Sequence, residues 1–364
     1  MDMTVEAEVS ALVRKLYPGA RAVSVELLRP DASGGAGDTQ KASGYGEPLR
    51  LRIVDAGGAD HDLVLHTATS NDFGHDRRAD RAEEALLAYD TFGGIPRHVR
   101  AVDVGAVGSD GNLISLRDSG EFYLVTEYTA GAVYAADLQR IAKDGTATAD
   151  DLSRVSALAL YLAEVHVEIA GRPGAYRRAI RDLVGHGECI FGIVDSYGPE
   201  VPQAPPERLF AIERSCLEWR WRLRDRTRRL CRTHGDFHPF NVVFQEGVEF
   251  RVLDASRGSV GDPADDVAAM AINFPFFALA HPGSWRRGLG LLWHRFFETC
   301  LASRGDAELF DVLPPFLAFR GLVVANPIFY PGLAAGDRDR LLGFVERALA
   351  STRFDPASAD ALFG

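Results

Sequence analysis

The octapeptide His234-Gly235-Asp236-Phe237-His238-Pro239-Phe240-Asn241 is followed, after the strand-like run Val248 to Leu253, by Asp254. These residue types in this order are what phosphoryl transfer uses. A carboxylate at Asp236 can accept and orient the proton of a hydroxyl. The Asn241 amide and the Asp254 carboxylate offer hard oxygen ligands of the kind Mg²⁺ takes beside phosphates. His234 is a candidate either to react or, preferably, to brace the loop. HGD alone would also fit a turn rich in Gly and Pro, so the signal lies in the ordered set and not in one motif.

The spacing H-x-D-x-x-x-x-N with a downstream Asp resembles the catalytic loop of the aminoglycoside phosphotransferase and related small-molecule kinase family, part of the protein-kinase-like superfamily. Gly261-Asp262-Pro263-Ala264-Asp265-Asp266-Val267-Ala268 is similar to that family's GDPxxDLA segment, with Val267 in the Leu position. The resemblance covers roughly residues 22–271. It implies an α+β bilobal fold: a small antiparallel-sheet N-lobe with one helix (1–130) that binds nucleotide, and a larger, mostly helical C-lobe (131–364). It further implies that Asp266 ties down the catalytic loop, that Asp262 starts a helix as its cap, and that ATP or GTP with Mg²⁺ is the phosphoryl source. The family's acceptors include aminoglycosides, macrolides, other antibiotics, choline, homoserine and sugars, and the sequence does not choose among them.

Hydrophobic periodicity supplies the elements that must position these groups. A helix is expected over Val5 to Leu16, and strands over Ala22–Leu28, Leu49–Val54, Asp62–Thr67, Val102–Val107 and Phe122–Tyr128. Between the third and fourth strands, Asp76–Phe92 has apolar residues at three- and four-residue steps and is closed by Gly93-Gly94. The segment Glu127 to Gly131 resembles a hinge whose backbone, at Glu127 and Tyr128, would hold an adenine edge. Past it Leu152, Val155, Leu158, Leu162, Val165 and Ile169 make a helical stripe, capped by Asp150 or Asp151. His166 on that helix reads as a packing histidine in preference to a catalytic one. The stretch Gly171–Arg232 is longer than a minimal kinase needs, and is read as the acceptor-side element. Its second half carries Leu209, Ile212, Cys216, Trp219, Leu223 and Leu230 on one stripe. Trp221 falls on the opposite side, a weak acceptor candidate whose preferred reading is packing against another helix. The arginines at 220, 222, 224, 226, 228 and 229 read as a solvated, salt-bridged face.

One position departs from the family. Where the third strand should carry a phosphate-pairing Lys, His61-Asp62-Leu63-Val64-Leu65-His66 puts His66. Its expected partner in the following helix is Glu83, with Glu84 as the alternative. An imidazole is charged only conditionally at neutral pH, unlike an ammonium. The glycine-rich run 31–46 could lay backbone N–H groups on phosphates, and Lys41 within it could reach one.

Composition bounds the remaining classes. Of 364 residues, 46% are hydrophobic and 25% charged, ordinary for a globular protein, and no apolar run is long enough for a membrane span. The N-terminus is acidic and lacks the apolar core of a signal peptide, and four scattered cysteines show no metal-type spacing; a cytoplasmic protein is expected. The net charge of −11 is uneven: residues 1–130 carry 13 Lys and Arg against 21 Asp and Glu, and residues 131–364 carry 27 against 30. That argues against nucleic-acid binding and gives little support to a polycationic acceptor. The expectation is a Mg²⁺-dependent phosphotransferase acting on a hydroxyl of a small molecule. The competing class is a nucleotide-binding pseudokinase or sensor that lost turnover with the strand Lys. A protein kinase is disfavoured by HGD in place of HRD and by the lack of an APE-like segment.

Overall fold

The computed structural model describes residues 3–27, 48–71, 73–255 and 257–363. The chain divides into two compact units, 1–126 and 127–364. In the first, helix α1 (Met3–Leu16) precedes an antiparallel sheet of order β1 (Arg21–Leu27), β2 (Leu49–Val54), β3 (Asp60–Leu65). Strand β2 alternates: Leu51 and Ile53 are buried with Val9, Val13, Ala20 and Val25, while Arg50 pairs with Asp62 at 2.9 Å on the other face. Helix α2 (Arg78–Thr91) and a short hairpin of β4 (Gly105–Val107) and β5 (Leu113–Ser115) complete the unit. Two expectations are corrected here. Phe122–Tyr128 forms no strand, because β propensity alone does not supply a partner edge. Helix α2 forms near its expected bounds but buries none of its residues.

The second unit opens with β6 (Ala132–Val133), α3 (Tyr134–Asp144) and α4 (Ala149–Val165). Thr148, not Asp150 or Asp151, caps α4: its hydroxyl accepts from the Asp151 N–H, and the Asp151 carboxylate accepts from the Thr148 N–H in return. The helix ends at Val165, so Ile169 lies beyond it. Next come α5 (Pro173–Gly185), α6 (Ile190–Asp195) and α7 (Pro206–Leu223), then β7 (Cys231–Arg232), the hairpin β8 (Val242–Phe244) and β9 (Phe250–Val252), and β10 (Val260–Gly261). The remainder is helical: α8 (Pro263–Ala271), α9 (Asn273–Leu279), α10 (Gly290–Arg304), α11 (Leu309–Val312), α12 (Pro314–Ala325) and α13 (Ala335–Ala350). Helix α7 buries Leu209, Ile212, Cys216, Trp219 and Leu223 as its stripe requires; Leu230 is buried too, past the helix end. Helix α12 is apolar almost all round and correspondingly buried, with one charge in it, Arg320. All four cysteines are free thiols, and among the described residues no helix is long and apolar enough to cross a membrane.

Candidate active site

Strand β7 pairs with β10, and the loop between β7 and β8 carries His234, Asp236 and Asn241. Gly235 must be glycine: its φ is +85°, and a Cβ there would lie 2.6 Å from the Gly258 carbonyl oxygen. The β8–β9 hairpin returns the chain so that the Leu253 N–H donates to the Asn241 carbonyl at 2.8 Å, setting Asp254 beside the end of the loop. The Asn241 amide nitrogen donates to the Asp236 carbonyl at 3.1 Å, which leaves its side-chain oxygen as the outward acceptor. Asp254 has a left-handed φ of 47°, uncommon for a non-glycine residue and typical of functional turns. Together with His234 and Thr233 it lines a cavity of about 400 Å³.

The loop is anchored from α8. The fully buried Asp266 accepts from the His234 N–H and the Gly235 N–H, both at 2.8 Å, and its third contact is His166 Nε2 at 3.0 Å. His166 is therefore a buried support. His234 is buried as well; its Nδ1 accepts from the Asp236 N–H at 3.3 Å, so the ring braces the loop. Asp262 caps α8 by accepting from the Ala264 N–H at 2.9 Å.

Asp236 is the centre of a charged cluster. Arg320 Nη1 donates to it at 2.5 Å, Arg257 Nε lies 3.8 Å away and His238 Nε2 3.5 Å away. Burial alone would push its carboxyl up, but His238 and Arg320 outweigh that and hold it well below the usual carboxylate range. Arg320 also donates to the Gly235 carbonyl at 3.1 Å and to Asp265 at 3.0 Å. Burial pushes the Asp265 carboxyl up, against the pull of Arg320. Sequence reading missed Arg320, Arg257 and Asp265. The signal for Arg320 was present, since a single arginine inside an apolar helix is buried only with partners.

The arginine-rich segment is corrected too. Arg229 is not solvated: its guanidinium grips Asp262 (2.8 and 3.0 Å) and Asp306 (2.8 Å twice), so one side chain ties the α8 cap to the chain after α10. Trp221, read as packing against another helix, lies largely in solvent. It is 58% exposed, with Arg224 and Arg220 over its ring at 4.4 and 5.5 Å. From the same stretch, the Glu188 carbonyl and Cys189 Sγ receive Arg257 Nη1 at 3.3 and 3.7 Å, which brings the 171–232 region to the Asp236 cluster.

The nucleotide-side candidates are not brought together. His66 is exposed one residue past the end of β3, and Glu83 is exposed on α2; among the described residues neither has an ion-pair partner. Glu84 instead pairs with His75 at 3.3 Å. The expected His66–Glu83 pair is absent: both side chains are exposed, and α2 has no fully buried residue. Glu127 and Tyr128 are exposed and outside any strand. Lys41 and the glycine-rich run lie outside the described residues.

Known proteins bear on this arrangement. No curated protein matches the chain significantly by sequence. Solved structures similar to it include a glucosamine kinase (18% identity, 95% of this chain and 84% of that one, TM-score 0.43). Two others are choline kinase LicA from Streptococcus pneumoniae (13%, 95% and 98%, TM-score 0.35) and an ethanolamine kinase from Plasmodium vivax (12%, 87% and 78%, TM-score 0.33). The sequence profile of the phosphotransferase enzyme family, APH, matches residues 77–298, more than half of the chain and every residue from the loop to the helix that anchors it. The chain belongs to this phosphotransferase family and has its α+β, bilobal protein-kinase-like fold.

Proposed function

We propose that this protein transfers the γ-phosphoryl group of ATP or GTP to a hydroxyl of a small molecule, with Asp236 facing the acceptor and Asn241 and Asp254 holding Mg²⁺. The observation that carries the proposal is the state of Asp236: a carboxylate on a loop fixed by Asp266, kept ionised by Arg320 and His238. Such a carboxylate is a strong hydrogen-bond acceptor and a weak base. It orients the acceptor oxygen from the start and takes the proton late. The bond from the γ-phosphorus to the ADP oxygen breaks, the bond to the acceptor oxygen forms, and the hydroxyl proton passes to Asp236.

The donor set fits the metal. An amide oxygen and one carboxylate at one end of a hairpin are hard ligands, too few for a closed site and suited to an ion that keeps waters and phosphates in its shell. When bound, Mg²⁺ would neutralise charge on the phosphate oxygens. The cavity beside Asp254 is of ligand size. The nucleotide is assigned to unit 1–126 with the hinge at Glu127 and Tyr128, its phosphates met by His66 or Lys41. Region 171–232 is assigned to the acceptor, supported by its contact with Arg257.

One observation favours a second reading, a nucleotide sensor without turnover: His66 lacks its Glu partner. ADP release decides between them. With Mg²⁺ and ATP or GTP, acceptor-stimulated ADP formation supports the transferase, and nucleotide binding without ADP supports the sensor. Comparing nucleotide Kd in His66→Ala and Lys41→Ala identifies the phosphate contact. Unchanged Kd in both leaves metal and backbone as the contacts.

A further inference from the structure

The rings around Asp236 form a continuous series. His238, 3.5 Å from Asp236, meets Phe240 at 6.0 Å between centroids; Phe240 meets Phe277 at 6.3 Å, Phe277 meets Phe276 at 5.3 Å, and Phe276 meets Tyr330 at 4.6 Å. Burial lifts the Tyr330 phenol above its usual range, and the charge of Asp236 adds to the lift. Three separate elements contribute, namely the catalytic loop, α9 and the turn after α12. The surface is not closed core. Phe240 is 40% exposed, Phe276 and Phe277 are half-buried, and Ile328 and Phe329, just before Tyr330, are exposed. An apolar patch beside the group that orients the acceptor is a binding surface before it is a packing defect.

Charge at this place is balanced. The two carboxylates, Asp236 and Asp265, both bind Arg320, and Arg257 stands 3.8 Å from Asp236. A site for a polyamine needs surplus carboxylates facing the ligand, and two arginines beside the two carboxylates leave no such surplus. Arg257 and Arg320 also lie over the faces of Phe319 at 4.9 and 4.7 Å, so their positive charge is fixed in the wall of the site.

We infer that the acceptor is a hydroxyl compound with an apolar ring body and no ammonium group, its ring laid on Phe240 and Phe277 and its hydroxyl turned to Asp236. This rests on the phosphotransferase reading above and narrows its substrate class to neutral or anionic molecules.

The test uses the full chain and two readouts. ADP release is measured with Mg²⁺-ATP and three acceptor sets matched in hydroxyl content: aryl glycosides, hydroxylated aryl carboxylates and aminoglycosides. Binding of the aromatic anion anilinonaphthalene sulfonate is followed by fluorescence, with spermine as competitor. Phe240→Ala and Phe277→Ala are checked for native circular dichroism first; Phe240, being exposed, keeps the test open if the second variant misfolds. The expected result is kcat/KM for an aryl acceptor about tenfold or more above any aminoglycoside, with each variant raising acceptor KM about tenfold at unchanged nucleotide KM. Preference for aminoglycosides, or an acceptor KM indifferent to both variants, overturns the inference and leaves the phosphotransferase reading standing. If no acceptor releases ADP, that reading fails and the fluorescence arm decides the site. Probe binding weakened by the variants and unaffected by spermine upholds the apolar, non-cationic site. Binding that is absent, unchanged by the variants or displaced by spermine refutes it.

Discussion

Arg320 couples the buried centre of the second unit to Asp236, and its removal separates two effects. Arg320→Leu leaves Asp236 and Asp265 without their shared cation, and urea unfolding near neutral pH should show a loss of about 3–5 kcal/mol, the usual consequence of breaking one side of a buried ion pair. The pH dependence has a definite sign. The folded Asp236 carboxyl lies below its unfolded value, so the pairing stabilises above that unfolded value and the contribution fades as pH falls through the folded one. Without Arg320 the folded value rises, and the acid limb of kcat/KM should move to higher pH. A profile superimposable on that of the native protein would contradict the role given to Arg320. At this scale the sequence was legible where chemistry is local: His234, Asp236 and Asn241 share one loop, and Asp254 follows one hairpin. Arg320 was not, because it reaches Asp236 from 84 positions away and only packing of α12 makes the contact.

Element geometry makes the two tryptophans of α7 a matched pair. Trp219 is buried and donates from Nε1 to the Leu349 carbonyl at 2.9 Å, and Trp219→Ala should cost about 3–5 kcal/mol in thermal or urea unfolding. Trp221, exposed under two arginines, should change stability by no more than about 0.5 kcal/mol when replaced by Ala. Equal costs would show that the α7 stripe has been assigned to the wrong face. The α8 anchor gives a different readout. Asp266→Ala removes the acceptor for two loop N–H groups and for His166, so kcat should fall with Asp236 chemically intact. Stripe positions on α4 and α7 follow from a period of 3.6 and were readable. The α4 cap was read at Asp150 or Asp151, while the hydroxyl that caps is Thr148; either residue type suits the position, and only the turn geometry chooses. Phe122–Tyr128 has strand composition, yet pairing is a nonlocal property that composition does not carry.

The two units differ in what holds them. Among the described residues, the first has six buried core residues around α1 and the three-stranded sheet, while the second joins helices α3 to α13 through one continuous apolar core. Hydrogen exchange should therefore proceed fastest in β1–β3 and slowest in α8, α10 and α12, and thermal unfolding should show an early step assigned to residues 1–126. Uniform protection with one sharp transition would contradict this division. The resemblance to a two-lobed kinase was legible because the motif order spans most of the chain. How the first unit would meet a nucleotide, if it binds one as proposed, was less so, since His66 and Glu83 do not meet and Lys41 lies outside the described residues.

The most direct test compares the native protein with Asp236→Asn for acceptor-dependent ADP formation and, separately, for nucleotide Kd. The substitution keeps the shape of the side chain and removes its charge. If Asp236 orients and deprotonates the acceptor hydroxyl, kcat should fall by about a thousandfold or more while nucleotide Kd stays near native. Retention of a tenth of the rate, or a fall in rate matched by an equal loss of nucleotide affinity, would contradict the assignment of Asp236 to the acceptor.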